Sequence, residues 1–207
     1  MMVERTNGPS VLPAARRARN RLSGALLTAL ASAFGGQGCV PHAPPPMTAS
    51  RYTGSALSDA EAAQIVHTSW EVLQTSDGGD DVSCDVGNLR GGPVGSVTTF
   101  TTPSGVVNVK ADYDAIAARD RVVSVVDQIN WCDGNETLGP VLGCSDQSGT
   151  HMVVVRDDPS AEGILWAHEY GHTRGNVHRG DPSAVMNPYV VSTARRVNSS
   201  ECANYQR

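Results

Sequence analysis

The sequence predicts an α/β domain, in which helices and β-strands surround one modest core. Residues 58–75 repeat apolar side chains at helical spacing, and a second apolar helix is predicted to begin after Asp158. Residues 94–101, 106–110 and 152–156 are rich in the β-branched side chains that favour strands. With 207 residues, 40% hydrophobic content, 21 Gly and 12 Pro, the chain suits one small domain with long loops.

The first 39 residues are typical of an export signal. Five arginines precede the apolar run 22–34, whose length is secretory rather than membrane-spanning. Two processing sites remain open. Residues 31–33 (Ala-Ser-Ala) suit cleavage after small residues, whereas residues 36–39 form an imperfect lipobox in which Cys39 would be acylated. We therefore expect the mature protein outside the cytoplasm, either secreted or anchored to a membrane through lipid on Cys39.

Residues 40–55 are rich in proline, and we expect an extended linker that does not pack. The folded domain is then predicted to span residues 56–207. Residues 56–105 are either a propeptide, an N-terminal subdomain or part of the main domain, and the sequence leaves these alternatives open.

The first predicted helix begins at Ser58, because Ser58-Asp59-Ala60-Glu61 has the form of a capping box, and it runs to Thr75. A loop is predicted over residues 76–93. Its aspartates could coordinate calcium, but they lack the spacing and the terminal Glu of an EF-hand, so a solvated acidic loop is the favoured interpretation. These aspartates are Asp77, Asp80, Asp81 and Asp85.

The strands at 94–101 and 106–110 are predicted to pair as a hairpin across the turn Pro103-Ser104-Gly105. Residues 111–131 are ambiguous. Ala115 to Ala118 favour a helix, whereas the Val and Ile side chains between 122 and 129 suit either a buried helix face or a strand.

The second predicted helix has Asp158 as its cap and Pro159 in its first turn, and it leads into His168-Glu169-Tyr170-Gly171-His172. Positions i and i+4 lie on one face of a helix, so His168 and His172 can bind the same ion. Glu169 points away from that axis and is better placed to take a proton from water than to bind the metal.

Gly175 and His178 extend this pattern to H-E-x-x-H-x-x-G-x-x-H. Gly175 can adopt the left-handed conformation that ends a helix, after which His178 can return to the open side of the ion. Three histidine ligands leave a fourth position for water, as in catalytic zinc sites, whereas structural sites close all four positions with protein groups. The spacing therefore predicts one catalytic Zn²⁺, and five fixed letters make chance a poor explanation.

Met186 follows His178 by eight residues. Together with it, the motif resembles the metzincin clan of zinc metallopeptidases, whose signature adds a methionine in a tight turn. The spacing to Met186 is similar to that of matrixin-type members. Arg179 is not the serine, glutamate, proline or aspartate that follows the third histidine in matrixins, astacins, serralysins and adamalysins, so the subfamily stays open.

The resemblance implies a small twisted mixed sheet with a backing helix, an active-site helix and an irregular C-terminal part, with Met186 beneath the zinc ligands. It also implies that residues 138–142 form an edge strand that pairs with an extended substrate. Tyr189 lies three residues after Met186, whereas the tyrosine that approaches zinc in astacins and serralysins lies two after, so we expect Tyr189 to line the pocket or to pack. The candidate pocket residues are Leu138, Val141, Leu142, Pro188 and Tyr189.

Four cysteines remain besides Cys39, an even number that predicts two disulfides in an exported protein. We favour Cys132 with Cys144, because the glycine-rich and proline-rich loop between them can bend back, which leaves Cys84 with Cys202. The other pairings stay open. Residues around Cys84 are also faintly similar to the matrixin propeptide segment whose cysteine caps the zinc, but a disulfide is favoured.

These features predict a zinc endopeptidase in which Glu169 is the general base that activates water against a peptide bond. One alternative is a catalytically inactive surface-binding protein that keeps the zinc scaffold, and another is a zinc hydrolase of a non-peptide bond. The net charge of -5 gives no sign of a nucleic-acid partner. We expect a monomer that acts on peptide or protein substrates.

Overall fold

The computed structural model describes residues 47–75, 81–92, 95–132, 135–147 and 149–207, and only the backbone of residues 135–140. The predicted export signal, Cys39, the first part of the proline-rich linker, Asp77 and Asp80 lie outside the described residues. Among the helices described, none combines the length and the apolar character needed to cross a bilayer.

The described helices and strands follow one another along the chain in this order: β1 (Ala49–Tyr52), α1 (Asp59–Gln74), α2 (Gly87–Arg90), β2 (Thr98–Phe100), β3 (Val106–Val107), α3 (Lys110–Ala117), β4 (Val123–Val126), β5 (Gln128–Cys132), β6 (Asn135–Val141), β7 (Gly143–Ser145), β8 (Met152–Val155), α4 (Pro159–Thr173) and α5 (Ser199–Tyr205).

The main sheet has five strands in the order β2-β1-β4-β8-β7. Its first four strands run parallel, and β7 runs antiparallel to β8 at one edge. Val125 and Val154 face the core that contains α1 and α4, whereas Val126 and Val153 face a second apolar cluster on the other side. Burial on both faces explains the continuous apolar runs of these strands. The predicted α/β fold class is confirmed.

Helix α1 has the capping box that its sequence predicts. The Glu61 amide donates to Ser58 Oγ at 3.2 Å, and the Ser58 amide donates to the Glu61 carboxylate at 2.8 Å. Its apolar face packs against α4. Gly163 lies at this helix crossing, where a Cβ would be 2.5 Å from Thr68 Cγ2, so glycine allows the close approach.

The end of the predicted linker belongs to the main sheet, so the expectation of an unpacked tether is wrong for residues 47–52. Strand β1 lies between β2 and β4, and Met47, Ala49 and Ser50 are buried. This strand was not predicted because its residues, Ala-Ser-Arg-Tyr, lack the run of β-branched side chains that is typical of strands. The Ser50 hydroxyl is tolerated in the sheet because it lies 2.8 Å from Ser124 Oγ, which satisfies it.

The predicted hairpin between residues 94–101 and 106–110 is also wrong. Strand β2 pairs with β1, whereas β3 pairs in parallel with β5 in a three-stranded sheet of order β3-β5-β6. The turn between β2 and β3 therefore carries the chain from one sheet to another. Gly105 is needed there because the Tyr52 ring fills the space, and a Cβ would lie 2.3 Å from Tyr52 Cδ1.

The ambiguous segment 111–131 consists of a helix followed by two strands. Helix α3 covers the alanine-rich part, and the Val and Ile side chains after it lie in strands β4 and β5. All four residues of β4 are buried, which requires the apolar run that made helix and strand hard to distinguish. The predicted strand at 138–142 begins earlier, at residue 135, and forms the edge of the three-stranded sheet.

Both favoured disulfide pairings are confirmed. Cys132 is bonded to Cys144, which joins β5 to β7, and Cys84 is bonded to Cys202, which joins the loop after α1 to α5. Cys84 is buried in the core of the domain, and because its sulfur is in a disulfide it does not cap a zinc ion as a propeptide cysteine would.

Candidate metal centre

Helix α4 presents His168 and His172 on one face, one turn apart. The helix begins at Asp158, whose carboxylate accepts a hydrogen bond from the Ser160 amide at 2.8 Å, with Pro159 at its first position. The apolar residues before His168 are buried in the main core, so the helix is held firmly beneath the cleft.

The end of α4 directs the chain back toward these two rings. Gly175 takes the predicted left-handed conformation, with φ of 85°. The Asn176 amide donates to the Gly171 carbonyl at 2.9 Å, which closes the last turn. Two residues later, His178 lies beside the first two histidines.

The three histidine rings converge on one point. His172 Nε2 lies 3.1 Å from His168 Nε2 and 3.1 Å from His178 Nε2, and one nitrogen of each ring lies within 4.8 Å of the others. Zinc–nitrogen bonds of about 2.0–2.1 Å in a tetrahedron separate two nitrogen ligands by about 3.3 Å. The spacing therefore fits one zinc ion held by three rings.

The hydrogen bonds on the far side of two rings fix their tautomers. His168 Nδ1 lies 2.8 Å from the Val185 carbonyl oxygen, and His172 Nδ1 lies 2.9 Å from the Asn176 carbonyl oxygen. A carbonyl oxygen can only accept, so each Nδ1 carries a proton, and in the neutral ring Nε2 is then unprotonated. Two lone pairs facing each other at 3.1 Å repel, whereas a cation between them would be bound by both.

The environment of His168 and His178 favours the neutral form that binds metals. Burial, together with the neighbouring His172 ring, lowers the pKa of His168 to about 3. Burial also lowers the pKa of His178. Rings with depressed pKa values are neutral near pH 7, and neutral imidazole is the ligand that zinc takes.

Glu169 lines the same cavity as the three rings but is not among the converging ligands. The residue is 5% exposed, and burial raises its pKa to about 7, against the lowering effect of a hydrogen bond from Ser145. Ser145 Oγ donates to Glu169 Oε2 at 2.7 Å. A carboxyl group with a pKa near neutrality can both accept and return a proton.

The backbone around Met186 holds the segments of two ligands. The Val185 carbonyl accepts from His168, and the Met186 carbonyl accepts from the Arg179 amide at 2.8 Å, directly after His178. The turn therefore joins the helical and the looped parts of the site.

The Met186 side chain is fully buried beneath this turn. Its Sδ lies 3.2 Å from the Tyr205 hydroxyl, which also donates to the Ala167 carbonyl at 2.9 Å. Gly171 leaves room for both groups, since a Cβ there would be 2.5 Å from Met186 Sδ and 2.6 Å from Tyr205 Oη. Helix α5 thus packs against the methionine turn through Tyr205.

The site opens into a cavity of about 730 Å³. Val141, Leu142, Pro188 and Tyr189, which the sequence places in the pocket, all line it, whereas the Leu138 side chain lies outside the described residues. Tyr189 is 77% exposed, so it stands at the rim rather than packing in the core. The remaining apolar lining comes from Leu165, Val177, Val190 and the Cys132–Cys144 disulfide.

Arg179 joins the third ligand to two distant segments. Its Nε lies 3.2 Å from Glu201 Oε1, its Nη1 lies 3.6 Å from Asp81 Oδ1, and its Nη2 donates to the Arg196 carbonyl at 3.0 Å. The Asp81 and Glu201 side chains are mostly buried. Asp81 is therefore part of an interior ion-pair cluster, and the expectation of a solvated loop is wrong at this position.

We expect Arg179→Ala to lower the free energy of unfolding by about 3 kcal/mol, because it removes the cation beside the buried Glu201 and leaves Asp81 with Arg196. Urea unfolding of the variant measures the loss. Lys110→Ala is the matched control, since it removes an exposed ion pair with Asp114 and should change the free energy of unfolding far less. Equal losses in the two variants would show that the buried cluster contributes no more than a surface pair.

Several residues that shape the site could not be predicted from the sequence. Ser145 and Gly143 contact Glu169 from a strand, and Tyr205 contacts Met186 from the last helix, so no local spacing connects them. The close packing at Gly171, in contrast, could have been expected from the residue type. Glycine in the middle of a buried helix costs about 1 kcal/mol relative to alanine, so it often marks a position where another group packs closely.

No protein-family model matches the chain, and no curated protein matches it. Several solved structures are similar to the chain. The archaemetzincin of Methanopyrus kandleri is 16% identical, with a TM-score of 0.50 over 80% of this chain and 96% of that one. Metalloproteinase-II of Bacteroides fragilis is 13% identical, with a TM-score of 0.44 over 80% of this chain and about half (54%) of that one. The similarity to archaemetzincin is one of fold, and it agrees with the mixed α/β architecture described above.

Proposed function

We propose that the protein is a zinc-dependent endopeptidase of the metzincin type. The observation that carries this proposal is the convergence of three histidine rings, in which His172 Nε2 lies 3.1 Å from both His168 Nε2 and His178 Nε2. Three neutral imidazoles and no thiolate are the donor set of a catalytic zinc site, in which a position stays open. His168, His172 and His178 would hold the ion.

A zinc ion at this position would supply Lewis acidity, which polarises a carbonyl group and makes water more acidic. Glu169 accepts the proton of the attacking water and passes it to the leaving amine, because its carboxylate faces the cavity with its pKa near neutrality. Ser145 donates a hydrogen bond to this carboxylate, and Gly143 lies against it. The intact base also argues against the alternative of an inactive binding protein, since a purely structural site needs none.

The lining of the cavity supports a peptide substrate with an apolar side chain beside the scissile bond. The cavity is lined by the apolar side chains of Val141, Leu142, Leu165, Pro188 and Val190. Among its described lining residues, Glu169 is the one with an acidic side chain. An apolar side chain would bury its surface there, whereas a charged one would lose its hydration without a partner.

Cleavage of a peptide library by the purified protein tests this proposal. We expect cleavage beside Leu, Ile, Val, Met or Phe, loss of activity to background on treatment with a zinc chelator, and recovery when one equivalent of zinc is restored. Cleavage that persists without metal would contradict the proposed mechanism. A zinc-loaded protein that cleaves no peptide but hydrolyses another amide or ester would favour the alternative of a non-peptide substrate.

We further propose that the protein works outside the cytoplasm, either secreted or anchored through Cys39. The two disulfides support this location, because such bonds persist in oxidising compartments. Mass measurement of the mature N-terminus distinguishes cleavage after residue 33 from acylation of Cys39.

A further inference from the structure

Strand β7 runs directly against the carboxylate of Glu169. Ser145 Oγ lies 2.7 Å from Glu169 Oε2. At the other end of the same short strand, a Cβ on Gly143 would lie 2.4 Å from Glu169 Oε1, so only a glycine leaves the carboxylate its present space. The two residues therefore define the position of both carboxylate oxygens.

The direction of the hydrogen bond is fixed by chemistry. In its ionised form, Glu169 has no proton to give, so the Ser145 hydroxyl donates and Oε2 accepts. Among the described residues, the side chain that donates a hydrogen bond to the buried Glu169 carboxylate is Ser145. The bond fixes the rotation of the carboxylate and leaves lone pairs on both oxygens that can take a proton.

Strand β7 is fixed on several sides, so it can hold the Glu169 carboxylate in one position. It pairs antiparallel with β8, with Gly143 opposite Val154 and Ser145 opposite Met152. Between them, Cys144 is bonded to Cys132 on β5. The next residue is also fixed, because the Asp146 amide donates to the Tyr113 hydroxyl at 3.1 Å.

We propose that Ser145 is a positioning residue that holds the Glu169 carboxylate in the metal-site cavity by donating to Oε2, with Gly143 leaving the space that Oε1 occupies. The chemical meaning of this role rests on the proposed peptidase function. The contact itself does not, since it can be measured without any substrate.

An isosteric pair of variants separates the hydroxyl from the packing. Thr retains a hydroxyl donor at position 145, and Val has nearly the same shape without it. We expect Ser145→Val to lower kcat by about 10- to 100-fold through misplacement of the base, with KM, zinc content and thermal midpoint close to those of the unchanged protein. Ser145→Thr should restore most of kcat. Gly143→Ala should lower kcat as well, because its Cβ displaces the carboxylate.

The carboxyl ¹³C resonance of Glu169 gives a readout that needs no activity. It can be assigned in glutamate-labelled protein by its loss in Glu169→Gln. We expect the resonance to move in Ser145→Val and to stay near its original position in Ser145→Thr.

An unmoved resonance in Ser145→Val, or equal kcat for Val and Thr at position 145, would overturn the proposal. If the unchanged protein cleaves no peptide but the resonance moves only in the Val variant, the proposed function fails and the positioning contact is supported.

Discussion

Glu169→Gln should lower the turnover of a peptide substrate by about 10²- to 10⁴-fold, the usual contribution of a general base. The amide has nearly the shape of the carboxylate, but it cannot take the proton of the attacking water. Zinc content should stay at one ion per chain, because Glu169 is not among the three groups that converge. The measurement is steady-state cleavage with metal analysis of the same samples.

Glu71→Gln is the matched control for this substitution. Glu71 lies on the solvent side of α1 beside His67, outside the metal-site cavity, so its variant should cleave at the original rate. Unchanged turnover in Glu169→Gln would remove Glu169 from the mechanism. Loss of zinc in that variant would instead assign Glu169 to the ligands.

The second large effect concerns stability. Removing the Cys84–Cys202 disulfide by a double alanine substitution should lower the free energy of unfolding by about 5 kcal/mol, because the bond closes a loop with a sequence separation of 118 residues. The bond also holds α5, whose Tyr205 packs against Met186. Urea unfolding under non-reducing conditions measures the loss.

The Cys132–Cys144 disulfide provides the comparison within the same chain. Its sequence separation is 12 residues, so its removal should cost about 3 kcal/mol through loop entropy. A larger loss at Cys132–Cys144 than at Cys84–Cys202 would contradict the loop-length account. In that case, strain in the native state would contribute more to the stability difference than loop entropy does.

The parts of the site that are local in sequence could be predicted. Helical geometry alone places His168 and His172 on one face, and the glycine conformation at residue 175 explains how His178 returns. The capping box at Ser58 likewise fixed the start of α1, because both of its partners lie within four residues.

Features that depend on distant parts of the chain were missed. Strand β1 has little intrinsic strand preference and is stabilised by β2 and β4, which lie far along the sequence. Ser145 is 24 residues from Glu169, and Tyr205 is 19 residues from Met186. No periodicity connects such pairs, so only the folded topology reveals that they touch.

Zinc K-edge absorption on the purified protein tests the central claim most directly, namely that three imidazoles hold one ion with a position left open. We predict three imidazole nitrogens and one oxygen at about 2.0–2.1 Å, with no sulfur in the coordination shell. A chain that binds no zinc, or a shell closed by four protein ligands, would contradict it.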